Sequence, residues 1–233
     1  MTTHTEEYRI ETLAESVASD RELERLQIAL EDEWGPFAPA DMREMRQMVG
    51  TAGHMMYVIR FSENGNLGEV SGILQTGLTD AHGDPQRLLD IYPTFNHITS
   101  NGTWDEAKRM EGDTALLLQI TTFGGKPGVG SLLRTGALRM LPKSVAYALT
   151  TSPYDGVYNP KILETPVDRA VRREHFTDVM RFHYLAGAVP AGYKEGYKIS
   201  DLSRPNIDKG RQRSQDVVFM KYTRLPDGNW KGR

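Results

Sequence analysis

Cysteine is absent from all 233 residues, which removes disulfides, thiolate nucleophiles and Cys-ligated metals together and fits a reducing, cytoplasmic setting. A basic excess is missing too. With 28 Lys and Arg against 31 Asp and Glu, the chain lacks the electrostatic footprint of a phosphate-backbone binder, so nucleic acid is not an expected partner. No apolar run approaches the roughly 20 residues needed to span a bilayer, and the opening MTTHTEEYRIETLAES is polar and acidic rather than signal-like. The expectation is a soluble, cytoplasmic protein with no membrane partner. Two absences narrow the chemistry further. No GxSxG elbow marks a serine hydrolase, and His54, His82 and His175 show no HxH, HExxH or carboxylate spacing, so no metal is expected.

The chain is of a length expected to fold as one domain over residues 1–233, with a frayed tail at 224–233. Tyr8–Leu13 reads as a first strand, and Ser19/Asp20 cap a periodic helix to Trp34, where Gly35-Pro36 stops it. A second helix, ADMREMRQMV, follows. Met55–Phe61 and Val70–Thr76 read as a hairpin across SENGNLGE, whereas the polar stretch from Leu78 to Met110 reads as a long loop of the kind that carries function. Asp113–Phe123 (DTALLLQITTF) is an almost unbroken apolar run, as expected of a central strand buried on both faces. After it come GGKPGVG, the helical spacing of SLLRTGALRML, and a strand over Ser144–Thr151 broken by Ser152-Pro153. A helix from Pro166 to Ala186, ending at Gly187, and strands near Ala188–Ser200 and Asp216–Thr223 complete the pass.

The turn Gly124–Gly130 is the most informative segment. A glycine-rich turn that leaves a buried strand and opens a helix presents backbone N–H groups and the positive end of the helix dipole, a natural anion site. It is not a P-loop, because Pro127 follows Lys126 where Ser or Thr would be needed. It is not a Rossmann turn either, because Leu133 stands where a third glycine belongs.

With this order of elements around it, Gly125-Lys126-Pro127-Gly128-Val129-Gly130 resembles the pyrophosphate loop of the GNAT acyltransferase superfamily, Arg/Gln-x-x-Gly-x-Gly/Ala. Gly128 and Gly130 match; Gly125 replaces the basic or amide residue, and Lys126 supplies a charge one position along. The resemblance spans about residues 8–223. It implies an α/β (α+β) fold with a mixed, mostly antiparallel central sheet and helices on both faces. It also implies a CoA thioester as ligand, with the pantetheine arm between splayed strands at Leu116–Phe123 and Ser144–Thr151. The backbone near Gln119, Ile120 and Thr121 would then serve the thioester carbonyl.

Many GNAT N-acetyltransferases carry a Phe-Tyr-x-x-x-Gly-Phe segment whose Tyr protonates the departing thiolate. Here the segment is Phe182-His183-Tyr184-Leu185-Ala186-Gly187-Ala188, with His183 at the tyrosine position. An imidazole, with an ordinary pKa of about 6.5 against about 10 for a phenol, holds, donates or accepts a proton around neutrality. Arg181-Phe182-His183, the Pro93–Gly102 segment and the Tyr197–Asp201 stretch together resemble a distinct branch, the GNAT-like domains of polyketide synthase loading modules. That resemblance implies decarboxylation of malonyl or methylmalonyl thioesters of CoA or of an acyl carrier protein, with or without acyl transfer. The implied catalytic pair is His183 with Thr150 or Thr151, and Phe95, Thr99 and Trp104 would wall the acyl tunnel. The rival is an acetyl-CoA-dependent N-acetyltransferase of a small amine, for which Glu31, Asp32 or Glu33 would be the base.

Overall fold

The computed structural model describes residues 7–16, 20–34, 54–63, 66–93, 112–154, 166–173, 176–199 and 214–231. In chain order the elements are β1 (Tyr8–Thr12), α1 (Leu13–Ser16), α2 (Asp20–Trp34), β2 (His54–Glu63), β3 (Asn66–Thr79), α3 (Pro85–Ile91), β4 (Thr114–Thr122), α4 (Val129–Met140), β5 (Tyr147–Pro153), α5 (Pro166–Val171), α6 (Asp178–Tyr184), β6 (Val189–Ile199) and β7 (Ser214–Thr223). The strands form a seven-stranded sheet in the order β1-β2-β3-β4-β5-β7-β6. Neighbours are antiparallel except β4 and β5, which are parallel.

Alternation along the strands makes this sheet a middle layer, because residues two apart share a face. Tyr57, Ile59 and Phe61 of β2 and Leu74 of β3 pack with Val129, Leu133 and Ala137 of α4 and with Met180 and Tyr184 of α6. The intervening Met56, Val58 and Ile73 meet Leu23, Leu26 and Leu30 of α2, which recur at helical spacing. Farther along that second face, Leu116, Leu149, Val217 and Phe219 are covered by Leu88 of α3 and by Tyr92. The expected mixed sheet with helices on both faces is therefore present. Among the described residues no helix is long and apolar enough to cross a membrane.

Four segments differ from the sequence reading, each for a local reason. Within the stretch expected to be loop, β3 runs on to Thr79 and α3 forms where Asp84 accepts from the Gln86 N–H and Pro85 opens the helix. Strand β5 continues through Ser152 and Pro153, paired with Val218 and Val217. A proline is tolerated there because β4 has already parted from this end of β5, leaving the missing N–H on an open edge. The helix expected from Pro166 to Ala186 is two helices: the chain turns at Arg173, φ 64°, and restarts where Thr177 caps Met180. The second helix ends at Tyr184, and the turn after it closes at Gly187, φ 94°, where Gly187 N–H donates to Tyr184 and Ala188 N–H to His183.

The fourth difference is the tail, which docks rather than frays as far as Lys231. Arg224 bridges Trp230, the Arg224 guanidinium donates to the carbonyls of Leu138, Leu141 and Pro142, and the Trp230 indole N–H also donates to Leu138. These donors satisfy carbonyls that the C-terminal end of α4 would otherwise leave open. The expected helix ADMREMRQMV and residues Phe95, His97, Thr99, Trp104 and His175 lie outside the described residues.

Candidate active site

The only parallel pair of the described sheet comes apart partway along its strands. Strands β4 and β5 are in register from Thr114–Tyr147 to Leu116–Leu149 and no further. Beyond that point β4 continues on β3 alone and β5 on β7 alone. Burial follows the split: Thr114–Leu117 are buried, whereas Leu118, Gln119 and Ile120 are only partly buried. The run expected to be buried on both faces is so only in its first half. A register shift opposite Gln75–Thr76 leaves Leu118 unpaired, a bulge that twists the backbone leading to Gln119, Ile120 and Thr121. Gln119 Nε2 then donates to Thr121 Oγ1 at 3.0 Å. At the fork, Thr150 Oγ1 donates to the Leu117 carbonyl at 3.0 Å, across strands no longer joined by backbone bonds.

The sheet register separates the two threonines. Ala148 pairs with Tyr222 and Thr150 with Met220, so Thr150 shares the face of Tyr222. Thr151 pairs with Phe219 and belongs to the opposite face, over α3. His183, on α6, is 4% exposed, and its Nδ1 lies 2.7 Å from the Tyr222 hydroxyl. His183 and Thr150 are thus brought to one face of the sheet. Thr151 is not.

Gly124, Gly125 and Gly128 have φ of 71°, 65° and 85°, a region glycine reaches without strain. Gly128 is the N-cap of α4 and supplies no side-chain cap, in contrast to Asp84 on α3 and Thr177 on α6. The first N–H groups of α4, at Val129, Gly130 and Ser131, are those a helix leaves without intrahelical partners. Lys126 is exposed, with its ammonium 4.4 Å from the centre of the Phe61 ring. Its charge lies beside this helix start. If the CoA thioester expected from the sequence binds at this helix start, Lys126→Ala should weaken its binding about threefold at low ionic strength and negligibly at high salt, measured by calorimetry across a salt series.

Two residues here escaped the sequence reading. Arg134 of α4 is 5% exposed and lies 3.9 Å above the Phe182 ring; it donates to the Phe182 carbonyl and faces the Tyr222 hydroxyl. Burial pushes the Tyr222 phenol well above its ordinary range, and Arg134 pulls the other way without cancelling it. A signal for Arg134 existed: it falls among Val129, Leu133, Ala137 and Leu138, the buried stripe of α4, where a cation is out of place. Arg181, the arginine of the Arg-Phe-His segment, is instead exposed to 64% beside Asp178. Glu31 and Asp32, offered as bases for the rival chemistry, lie on the exposed side of α2. His82 lies between Asp80 and Asp113, with a ring nitrogen directed at each carboxylate, an arrangement that fastens the turn after β3 to the start of β4.

The geometry defines an α/β protein whose central sheet forks beside a glycine turn and an uncapped helix start. No family model and no curated protein matches the chain, but solved structures do. The chain is similar to the loading GNATL domain of CurA from Lyngbya majuscula, at 17% identity and a TM-score of 0.57 over 93% of this chain and 98% of that one. It is also similar to the GphF GNAT-like decarboxylase in complex with isobutyryl-CoA, at 20% identity and a TM-score of 0.53, covering 92% and 98%. Arabidopsis thaliana NAA60 in complex with acetyl-CoA matches at 10% identity and a TM-score of 0.54, covering 93% and 99%. The chain has the GNAT fold.

Proposed function

We propose that this protein decarboxylates a malonyl or methylmalonyl thioester, carried on CoA or on an acyl carrier protein, to an acetyl or propionyl unit, with acyl transfer as an accompanying capacity. In this reading the pyrophosphate is held by the N–H groups that follow Gly128, with Gly125, Lys126, Val129 and Gly130 around it, and the pantetheine arm enters the β4–β5 fork. Loss of CO₂ leaves an enolate, so the site must offer hydrogen-bond donors where negative charge develops on the thioester oxygen. In this reading the backbone near Gln119–Thr121 supplies such donors, the Thr150 hydroxyl joins them by exchanging its bond to the Leu117 carbonyl for one to the substrate oxygen, and His183 acts from α6. The observation that carries the reading is the buried imidazole of His183, on the same sheet face as Thr150, at the position where acetyl-transferring relatives keep a phenol. The similarity to a GNAT-like decarboxylase that holds a branched acyl-CoA supports the same choice. The N-acetyltransferase reading finds less support, because Glu31 and Asp32 are on a solvated helix face.

The deciding experiment incubates the protein separately with malonyl-CoA, methylmalonyl-CoA and acetyl-CoA, with and without polyamine, and follows acyl-CoA masses. Loss of CO₂ from a malonyl-type substrate without any amine is expected. Consumption of acetyl-CoA only when amine is added would establish the rival instead. The register also predicts which threonine matters. Thr150→Val should lower malonyl turnover about tenfold, the size expected of one lost donor, while Thr151→Val stays within about twofold. Equal effects in steady-state assays would remove Thr150 from the site.

A further inference from the structure

Behind His183 stand two groups that no sequence motif identifies. Arg134 and Tyr222 come from different elements: Tyr222 of β7 meets the imidazole at Nδ1, and Arg134 of α4 stands against the Tyr222 hydroxyl. A guanidinium has only donors, and its charge turns the lone pairs of a facing hydroxyl toward itself and the O–H away. The Tyr222 oxygen is 2.7 Å from His183 Nδ1, so the O–H turned from Arg134 is directed at that nitrogen. Tyr222 is fully buried and, with its phenol held above the ordinary range by that burial, keeps the proton it donates. The Arg134 guanidinium lies on the Phe182 ring and donates to the Phe182 carbonyl, so the residue preceding His183 anchors the cation that orients its partner.

A neutral imidazole has one N–H, and a hydrogen bond accepted at one nitrogen places the proton on the other. We infer that Arg134 and Tyr222 form a relay that holds neutral His183 as the Nε2–H tautomer, which makes it a hydrogen-bond donor to the thioester oxygen and not a proton acceptor. Arg134 and Tyr222 are positioning residues. Only the use of the Nε2 proton rests on the decarboxylase reading; the tautomer does not. In that reaction the bond from C2 to the carboxylate breaks, CO₂ leaves, and the electron pair passes to the thioester enolate. The His183 Nε2–H donates to the enolate oxygen and stays on nitrogen, and a solvent proton then adds at C2. Such a neutral donor stabilises the developing charge without being consumed.

The test is an imidazole spectrum of the free protein. In ¹⁵N-histidine-labelled protein at about pH 8, above the ordinary imidazole value of about 6.5, long-range ¹H–¹⁵N correlations distinguish the bare nitrogen, far downfield, from the protonated one. The His183→Asn variant assigns the signal. The expected result is a bare Nδ1 and a protonated Nε2, turning to a mixture of tautomers in Tyr222→Phe, whose malonyl-CoA kcat falls about tenfold with KM within about twofold. A proton on Nδ1, a doubly protonated ring at that pH, or an unchanged pattern in folded Tyr222→Phe would overturn the relay. The wild-type spectrum decides even if that variant does not fold. An Nε2–H tautomer in a protein that leaves malonyl-CoA intact would fail the decarboxylase reading and keep the relay. Turnover of malonyl-CoA with the proton on Nδ1 would do the reverse.

Discussion

His183→Ala is expected to retain CoA-thioester binding within about threefold while malonyl turnover falls on the order of 10²-fold or more, the range of a positioned donor or acid–base group. The separation of binding from turnover follows from where the residue sits. The N–H groups proposed to hold the pyrophosphate belong to the start of α4, whereas His183 lies on α6 and is tied to Tyr222 on β7. An interaction that strengthens only as charge develops affects kcat and not ground-state affinity. His183→Tyr, which restores the residue of the acetyl-transferring relatives, should also be a poor decarboxylase, since a phenol cannot reproduce the imidazole's second nitrogen at that distance from the oxygen. Its stability is the control, because His183 is 4% exposed and truncation leaves a cavity beside Tyr222. Turnover should therefore be compared at a temperature where circular dichroism shows both variants folded. If folded His183→Ala turns over malonyl-CoA at the wild-type rate, the imidazole is a core residue and the decarboxylase reading fails with it.

Much of the backbone framework around the candidate site is legible in the sequence, because backbone requirements leave strong residue signals. The turn at Gly124–Gly130 demands positive φ at three positions, and glycine is the residue that meets that demand. The apolar run of β4 and the period of α4 fixed the strand-turn-helix unit around it. What remained hidden depends on pairing between distant segments. Whether Thr150 or Thr151 shares the sheet face of Tyr222 is decided by the register of β5 on β7, more than 60 residues away in sequence, which no local pattern encodes. The break between α5 and α6 was missed because the apolar spacing continues through Phe176 while the turn is made by Arg173 in a left-handed conformation unusual for arginine. The tail looked unstructured from its Asp-Gly and Asn content. Its order comes from Arg224 and Trp230 meeting the end of α4, a contact made across more than 80 residues.

Gly130 provides the cleanest separation of fold from ligand. A Cβ at this position would lie 3.6 Å from Thr122 Cγ2 and 3.7 Å from Ile120 and Phe182 carbons, ordinary contact distances, and Gly130 is not among the glycines of positive φ. The fold therefore does not require glycine there. Glycine inside the first turn of α4 instead costs helix stability, about 1 kcal/mol relative to alanine. Gly130→Ala should accordingly unfold at the same temperature as wild type or a few degrees above it. If the open N–H groups of the first turn hold the pyrophosphate, the added methyl obstructs the approach, and CoA affinity should fall at least about tenfold, with Gly130→Val losing on the order of 10²-fold. Gly128→Ala is a different experiment: at φ 85° a Cβ meets nothing within 4 Å but strains the backbone, so stability falls along with affinity. Calorimetric titration of CoA into Gly130→Ala, paired with its melting curve, distinguishes the possibilities. A more stable protein with weakened CoA binding identifies a glycine kept for its ligand. A stable variant with unchanged affinity would show that the phosphates do not approach the start of α4.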